Sequence, residues 1–127
     1  MLRKTTAALF VIVGLINVAP VVGLHGKSTL ESAYAISITS PEMLLLIRHR
    51  AVFFGIVGGL LLVAAFRPES RGVAAVSGFI SMFSFILMVM ASESLAPEYI
   101  KLARIDSVGI LALALACWGH WRLSRSA

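Results

Sequence analysis

The sequence places three adjacent basic or titratable side chains, Arg48, His49 and Arg50, inside an otherwise apolar stretch. A charge in such a stretch is costly unless it is paired, and the planar guanidinium of arginine pairs well with carboxylates and phosphates. On a helical projection Arg48 shares a face with small residues, whereas Arg50 falls on the opposite face with large apolar ones. We therefore expect Arg48 to point into the protein and Arg50 to extend towards lipid headgroups.

A buried arginine needs a partner, and the sequence offers few acids at a suitable depth. Asp106 is the preferred partner because it lies near the start of the last apolar segment, and Glu93 is the second candidate. Both are expected on the same side of the membrane as Arg48. The predicted site is a small polar cluster that holds an anionic or lipid headgroup ligand; the alternative is a purely structural ion pair with interhelical hydrogen bonds. Its members are Arg48, Asp106, His49, Asn17 and Glu93.

The residue types give little support for catalysis, for redox chemistry or for metal binding. Cys117 is the single cysteine, which excludes an internal disulfide and a cysteine zinc site. No nucleophile–base pair or paired carboxylates at working spacing are present, so we expect neither an enzyme nor a bound metal or cofactor. Gly55, Gly58 and Gly59 lie in the middle of an apolar segment, and we expect them to pack helices together and not to cradle a phosphate.

Composition indicates that the solvent of this chain is lipid. Of its 127 residues, 59% are hydrophobic and 13% are charged, where soluble domains carry about 25% charged residues. Such a composition excludes a water-soluble globule of this length and a disordered chain. The net charge of +5 does not indicate nucleic-acid binding, because the basic residues flank the apolar segments.

Four segments are apolar enough to be membrane spans, at about residues 5–24, 41–66, 72–91 and 97–121. Backbone groups in lipid must be satisfied within the segment, so each span is predicted to be a helix. The fold class is thus all-α: an integral membrane four-helix bundle forming one domain over residues 1–127. A cleaved signal peptide is the alternative interpretation of the first segment.

Local signals mark two helix starts in the first long loop. Ser28 and Glu31 have the spacing of a capping box, which predicts a short interfacial helix running through Tyr34. Ser40 followed by Pro41 then predicts the start of the second span, because serine caps helices and proline suits their first turn.

The basic residues also predict the orientation. One side of the membrane receives six of them and the other receives five, which acidic residues dilute. Because basic residues favour the cytoplasmic side, both termini are predicted to be cytoplasmic in a multi-pass protein of the bacterial inner membrane.

Three elements of the sequence carry a resemblance to a known family. Residues 46–55 contain the stretch Arg-His-Arg-Ala, residues 65–68 read Ala-Phe-Arg-Pro, and residues 33–36 read Ala-Tyr-Ala-Ile. In these elements the chain resembles the DoxX-like group of small bacterial membrane proteins. The resemblance implies a four-helix membrane fold and no established activity. Some similar sequences carry a phosphopantetheine adenylyltransferase label, which the residues do not support because the chain has no His-x-Gly-His site.

The predicted function is therefore non-enzymatic binding at the outer polar cluster. One alternative is an accessory or assembly subunit of a larger membrane complex, in which the glycine-rich face of the second span meets a partner. A small proton-coupled transporter is a further alternative, which the absence of an acid from the first span disfavours. The expected partners are the lipid bilayer and either further copies of the chain or a larger complex, without nucleic acid.

Overall fold

The computed structural model describes residues 1–93 and 96–125, and in these ranges all regular secondary structure is helical. The predicted all-α class is confirmed. The helices are α1 (Leu2–Val18), extended by a 3-10 segment (Ala19–His25), α2 (Lys27–Tyr34), α3 (Pro41–Phe66), α4 (Arg71–Met90) and α5 (Pro97–Arg125), with a 3-10 turn (Pro68–Ser70) between α3 and α4.

Within the described residues, three helical stretches are long and apolar enough to cross a membrane: Leu2–His25, Pro41–Phe66 and Pro68–Met90. They match the first three predicted spans. The fourth predicted span lies in α5, which is a continuous helix but is not among these stretches. Its first turns carry Glu98, Lys101, Arg104 and Asp106, which lower its mean hydropathy.

The four long helices share one apolar core. α1 packs against α3 and α5, and α4 packs against α5 and α3. Leu2 and Thr6 lie beside Gly119, so the beginning of α1 and the end of α5 meet at one end of the molecule, here called the terminal end. The opposite end, which includes α2, is called the loop end. The core residues are Phe10, Val13, Leu61, Ala64, Ala65, Ala74, Ala75, Met82, Leu113 and Ala116.

One of the two predicted helix starts forms as the sequence indicates. Ser40 accepts a hydrogen bond from the backbone N–H of Met43 at 3.2 Å, and Pro41 occupies the first turn of α3. The helix α2 also forms, but Ser28 makes no capping hydrogen bond. Glu31 instead accepts from the backbone N–H of Ile38 at 2.8 Å, where the loop after α2 folds back, and its carboxylate lies 3.7 Å from the Lys27 ammonium. The capping-box prediction is therefore wrong.

Glycine residues allow the backbones of α1 and α3 to approach each other closely. A Cβ atom built on Gly58 would lie 2.8 Å from the carbonyl oxygen of Gly14, nearer than real Cβ atoms approach, and it would also meet Val18. Gly55 faces Val21 one turn away, where a Cβ would lie 3.0 Å from the methyl group. A Cβ on Gly59 would meet nothing within 4 Å. Gly58 and Gly55 thus lie at a helix crossing as predicted, whereas Gly59 lies outside it.

Replacing Gly58 by alanine should therefore destabilise the fold, whereas replacing Gly59 should not. Overpacking a tight interface typically costs about 1–3 kcal/mol, and alanine elsewhere in a helix is favoured over glycine by up to about 1 kcal/mol. Denaturant unfolding of both variants in a mild detergent measures the change in the free energy of unfolding that each substitution causes. Equal denaturation midpoints for the two variants would contradict the close contact of α1 and α3 at Gly58.

Candidate functional site

A cavity of about 340 Å³ opens between the long helices at the loop end. This is at the lower end of the roughly 300–1,000 Å³ of small-molecule sites. Its wall is largely apolar and carries four polar side chains, contributed by α1, α2, α3 and α5. The polar residues are Asn17, Tyr34, Arg50 and Asp106, and the remaining ones are Ile16, Ala19, Pro20, Ala33, Phe54, Phe85, Leu102 and Ile105.

Arg50 is the cation of this cavity. Its guanidinium carbon lies 5.1 Å from the ring centroids of Phe54 and Phe85 and 5.6 Å from that of Tyr34. Contacts of this kind stabilise a cation by about 0.5–2 kcal/mol, most when water is excluded. Within residues 1–93 and 96–125, Arg50 forms no ion pair at 4.0 Å or less. The side chain is thus enclosed by aromatic faces, and the acid that acts on it electrostatically, Asp106, lies beyond ion-pair distance.

Asp106 and Asn17 complete the polar part of the wall. Asp106 is half-buried, and no ion pair or hydrogen bond to its carboxylate occurs in the described part of the chain. Asn17 is 3% exposed. Its amide donates to the carbonyl of Val13 at 3.1 Å and its Oδ1 accepts from the hydroxyl of Ser81 at 3.3 Å, which fixes its orientation between α1 and α4.

The structure corrects the assignment of the two arginines. Arg48 is half-buried, its Nε is enclosed without a hydrogen-bond partner among the described residues, and it does not line the cavity that contains Asp106. It therefore does not pair with Asp106; Arg50, expected at the lipid surface, shares the cavity with that acid. His49 is exposed and lies edge-on to the ring of Phe53, with centroids 4.8 Å apart. Glu93 is exposed beyond the end of α4 and also lies away from the cavity.

The reason for the correction is that the buried positions of α3 form one arc, which extends from the small face onto the large face and includes the position of Arg50. The small face packs closely on α1 through Gly58, while Leu61 on the large face is fully buried in the core. Arg50 precedes Leu61 by eleven residues, or three helical turns, with Phe54 between them on the same face. That register is visible in the sequence and would have placed Arg50 inside, had the large face not been assigned to lipid.

Tyr34 is a cavity residue that the sequence did not identify as one. It ends α2 and lies above Arg50, with its ring 6.4 Å from that of Tyr99 on α5. Burial raises the pKa of the Tyr34 phenol above its ordinary value, and the positive charge of Arg50 opposes that rise in pKa. No spacing in the sequence predicts this contact, because it depends on how the loop between α1 and α3 folds back.

A second arginine, Arg71, is buried at the terminal end. It is 4% exposed. Its Nε donates to the carbonyl of Ala64 at 3.0 Å and its Nη2 to that of Ala65 at 3.5 Å, both in the last turn of α3, whose carbonyls lack intrahelical partners. Its Nη1 lies 3.3 Å from His120 Nδ1. The sequence signal was available: Arg71 is in helical register with the buried Ala74, Ala75, Gly78 and Met82 of α4.

Comparison with known proteins adds no identification. No family model, no curated protein and no solved structure matches the chain. The DoxX-like resemblance therefore stays a prediction. Among residues 1–93 and 96–125, no group of three histidine, cysteine, aspartate or glutamate side chains is placed to hold a metal ion.

The contact between Arg50 and Tyr34 predicts a change in tyrosine ionisation. The chain has two tyrosines, so in a Tyr99→Phe background Tyr34 alone is observed. Arg50→Gln removes the charge that stabilises the tyrosinate and should raise the pKa of Tyr34 further. Arg48→Gln, which removes the same charge on the same helix, should leave it unchanged. Ultraviolet absorbance titration measures the pKa of Tyr34 in both variants. Equal pKa shifts would show that Arg50 acts on Tyr34 no more strongly than Arg48 does.

Proposed function

We propose that this chain is a non-enzymatic integral membrane protein that binds an anionic amphiphile in the cavity around Arg50. Four spanning helices form a bundle, both termini are cytoplasmic, and the cavity lies at the outer side. A binding role is proposed because the described wall of the cavity combines a cation with apolar surface and includes no serine, cysteine or histidine.

The exposed surface supports a membrane setting. In the most apolar part of each of the three stretches, 28% of the residues are buried inside the protein. Most of each stretch therefore lies at the surface of the protein. Large side chains such as Leu46, Phe66 and Val73 are more than two-thirds exposed. Exposing so much apolar surface to water would be unfavourable for a small monomer, whereas contact with lipid acyl chains carries no such cost.

α5 serves as the fourth span in this proposal. Its 29 residues extend about 44 Å at 1.5 Å per residue, more than the roughly 30 Å of the hydrocarbon core. It packs along both α1 and α4, which belong to the stretches that are long and apolar enough to span. The exposed Lys101 and Arg104 near its start lie at the loop end, where lipid headgroups would solvate them.

The observation that carries the proposal is a guanidinium enclosed by aromatic rings, with no carboxylate of the described residues within ion-pair distance of it. Arg50 retains its five N–H donors for a ligand, because its described contacts are to ring faces. A carboxylate or phosphate on the ligand would receive bidentate hydrogen bonds, while Phe54, Phe85 and Ile105 contact its apolar part. Asp106 stands on the same wall and repels a second negative charge, which limits the ligand to one anionic group.

The role of an assembly subunit receives less support. That alternative requires the glycine face of α3 to be free for a partner protein. In this fold Gly58 packs on Gly14 and Gly55 packs on Val21, so α1 and its 3-10 extension occupy the face at two of its three glycines.

Binding of decanoate tests the proposal, because decanoate places one carboxylate on an apolar chain. A ligand that binds only the folded protein raises its Tm. Decanoate should raise the Tm of the purified wild-type protein in detergent more than decanol does. Arg50→Met should lose the difference, since a hydrogen bond to a charged group contributes about 1.5–3 kcal/mol, which is roughly tenfold or more in Kd. Asp106→Asn should increase the effect of decanoate by removing a repelling charge.

Arg48→Met is the matched control, because it removes one arginine from the same helix outside the cavity. It should respond to decanoate as the wild-type protein does. An identical loss in both arginine variants, or an equal response of the wild-type protein to decanoate and decanol, would refute the proposed site.

A further inference from the structure

Arg71 at the terminal end is a buried cation whose described partners are all neutral. Two are backbone carbonyls of α3, a third is the Phe10 ring, whose centroid lies 5.6 Å from the guanidinium carbon, and the fourth is the His120 ring. The imidazole must accept through Nδ1 because a guanidinium can only donate. No ion pair to Arg71 occurs within residues 1–93 and 96–125. A buried charge without a counter-ion is destabilising, so an anion at this position would be favoured.

A second cavity, of about 360 Å³, lies next to this guanidinium. Two further cations, Arg3 and Lys4 from the first turn of α1, line it, and its described lining includes no acidic side chain. Arg3 and Lys4 are exposed, and neither side chain makes a hydrogen bond or ion pair with the described residues. Three positive charges from α1 and α4 thus converge on one space.

The remaining lining of the cavity is apolar and borders the outer surface of the bundle. It consists of Ala7, Ala65, Phe66 and Pro68. The Phe66 side chain is 79% exposed, so it extends from the cavity towards the region that acyl chains would occupy. A ligand in this cavity would therefore meet cations on one side and an apolar side chain on the other.

We propose that this terminal-end cavity, formed by Arg3, Lys4 and Arg71, binds the phosphate group of an anionic phospholipid. The guanidinium groups match phosphate oxygens in a planar, bidentate geometry, and the lysine adds a compact charge. Phe66 gives the acyl chains a contact that a free phosphate ion would not use. Basic cavities between spanning helices are the chemistry by which membrane proteins hold anionic headgroups. This site is separate from the Arg50 cavity and does not depend on the function proposed for it.

Calorimetric titration of the full chain in detergent tests the site with dihexanoyl phosphatidylglycerol, dihexanoyl phosphatidylcholine and inorganic phosphate. Phosphatidylglycerol should bind most tightly, because choline places a positive charge among three cations. The double variant Arg3→Gln/Lys4→Gln should weaken its binding about tenfold or more, as expected for two cations acting on one anionic headgroup. Both positions are exposed, so the variant should unfold at the wild-type Tm.

Arg67→Gln is the matched control, since Arg67 is exposed at the same end but does not line the cavity. It should bind phosphatidylglycerol as the wild-type protein does. Equal weakening in Arg67→Gln and the double variant would overturn the proposal in favour of a diffuse basic surface. Equal affinity for phosphate and phosphatidylglycerol would overturn the lipid assignment and identify a soluble phosphate as the ligand.

Discussion

The close contact of α1 with α3 is the constraint on which the rest of the fold depends. Gly14 and Gly58 bring the two backbones together, and no larger residue fits between them without a shift. Once this face of α3 is fixed, the neighbouring face, about 60° around the helix, turns towards α4 and the centre of the molecule. Leu61 then enters the core, and Arg50, three turns earlier, is directed into the cavity at the loop end. The position of Arg50 thus depends on Gly58 of the same helix, which has no side chain and so lets α3 pack closely on α1.

The two interior arginines are stabilised by different neutral groups. Arg50 lies among the aromatic rings of Phe54, Phe85 and Tyr34. Arg71 lies over the single ring of Phe10 and donates to backbone carbonyls at the end of α3. Ring faces hold a cation without consuming its hydrogen-bond donors, while carbonyls consume them. Arg50 is accordingly the better placed of the two to bind a ligand alone, and Arg71 would act together with Arg3 and Lys4.

Composition and helix signals were sufficient to predict the all-helical class, the three most apolar stretches and the Ser40 cap, because these depend on local physical chemistry. The contents of the cavity were predicted only in part. Asp106 and Asn17 lie in its wall, but the arginine beside them is Arg50 and not Arg48. Choosing between them required knowing which faces of α3 are covered, a tertiary property that the pattern of small residues does not determine. Tyr34 and the hydrogen bond from Ile38 to Glu31 depend on the course of the loop and have no periodic signal.

The bonds of Arg71 have a consequence for the order in which the protein can be assembled during synthesis. Its two carbonyl acceptors on α3 precede it by seven and six residues, so the hairpin of α3 and α4 contains them as soon as it emerges from the ribosome. His120 follows 49 residues later. The hairpin can therefore close on its own carbonyls while α5 is still being translated, and the imidazole joins as the last helix docks.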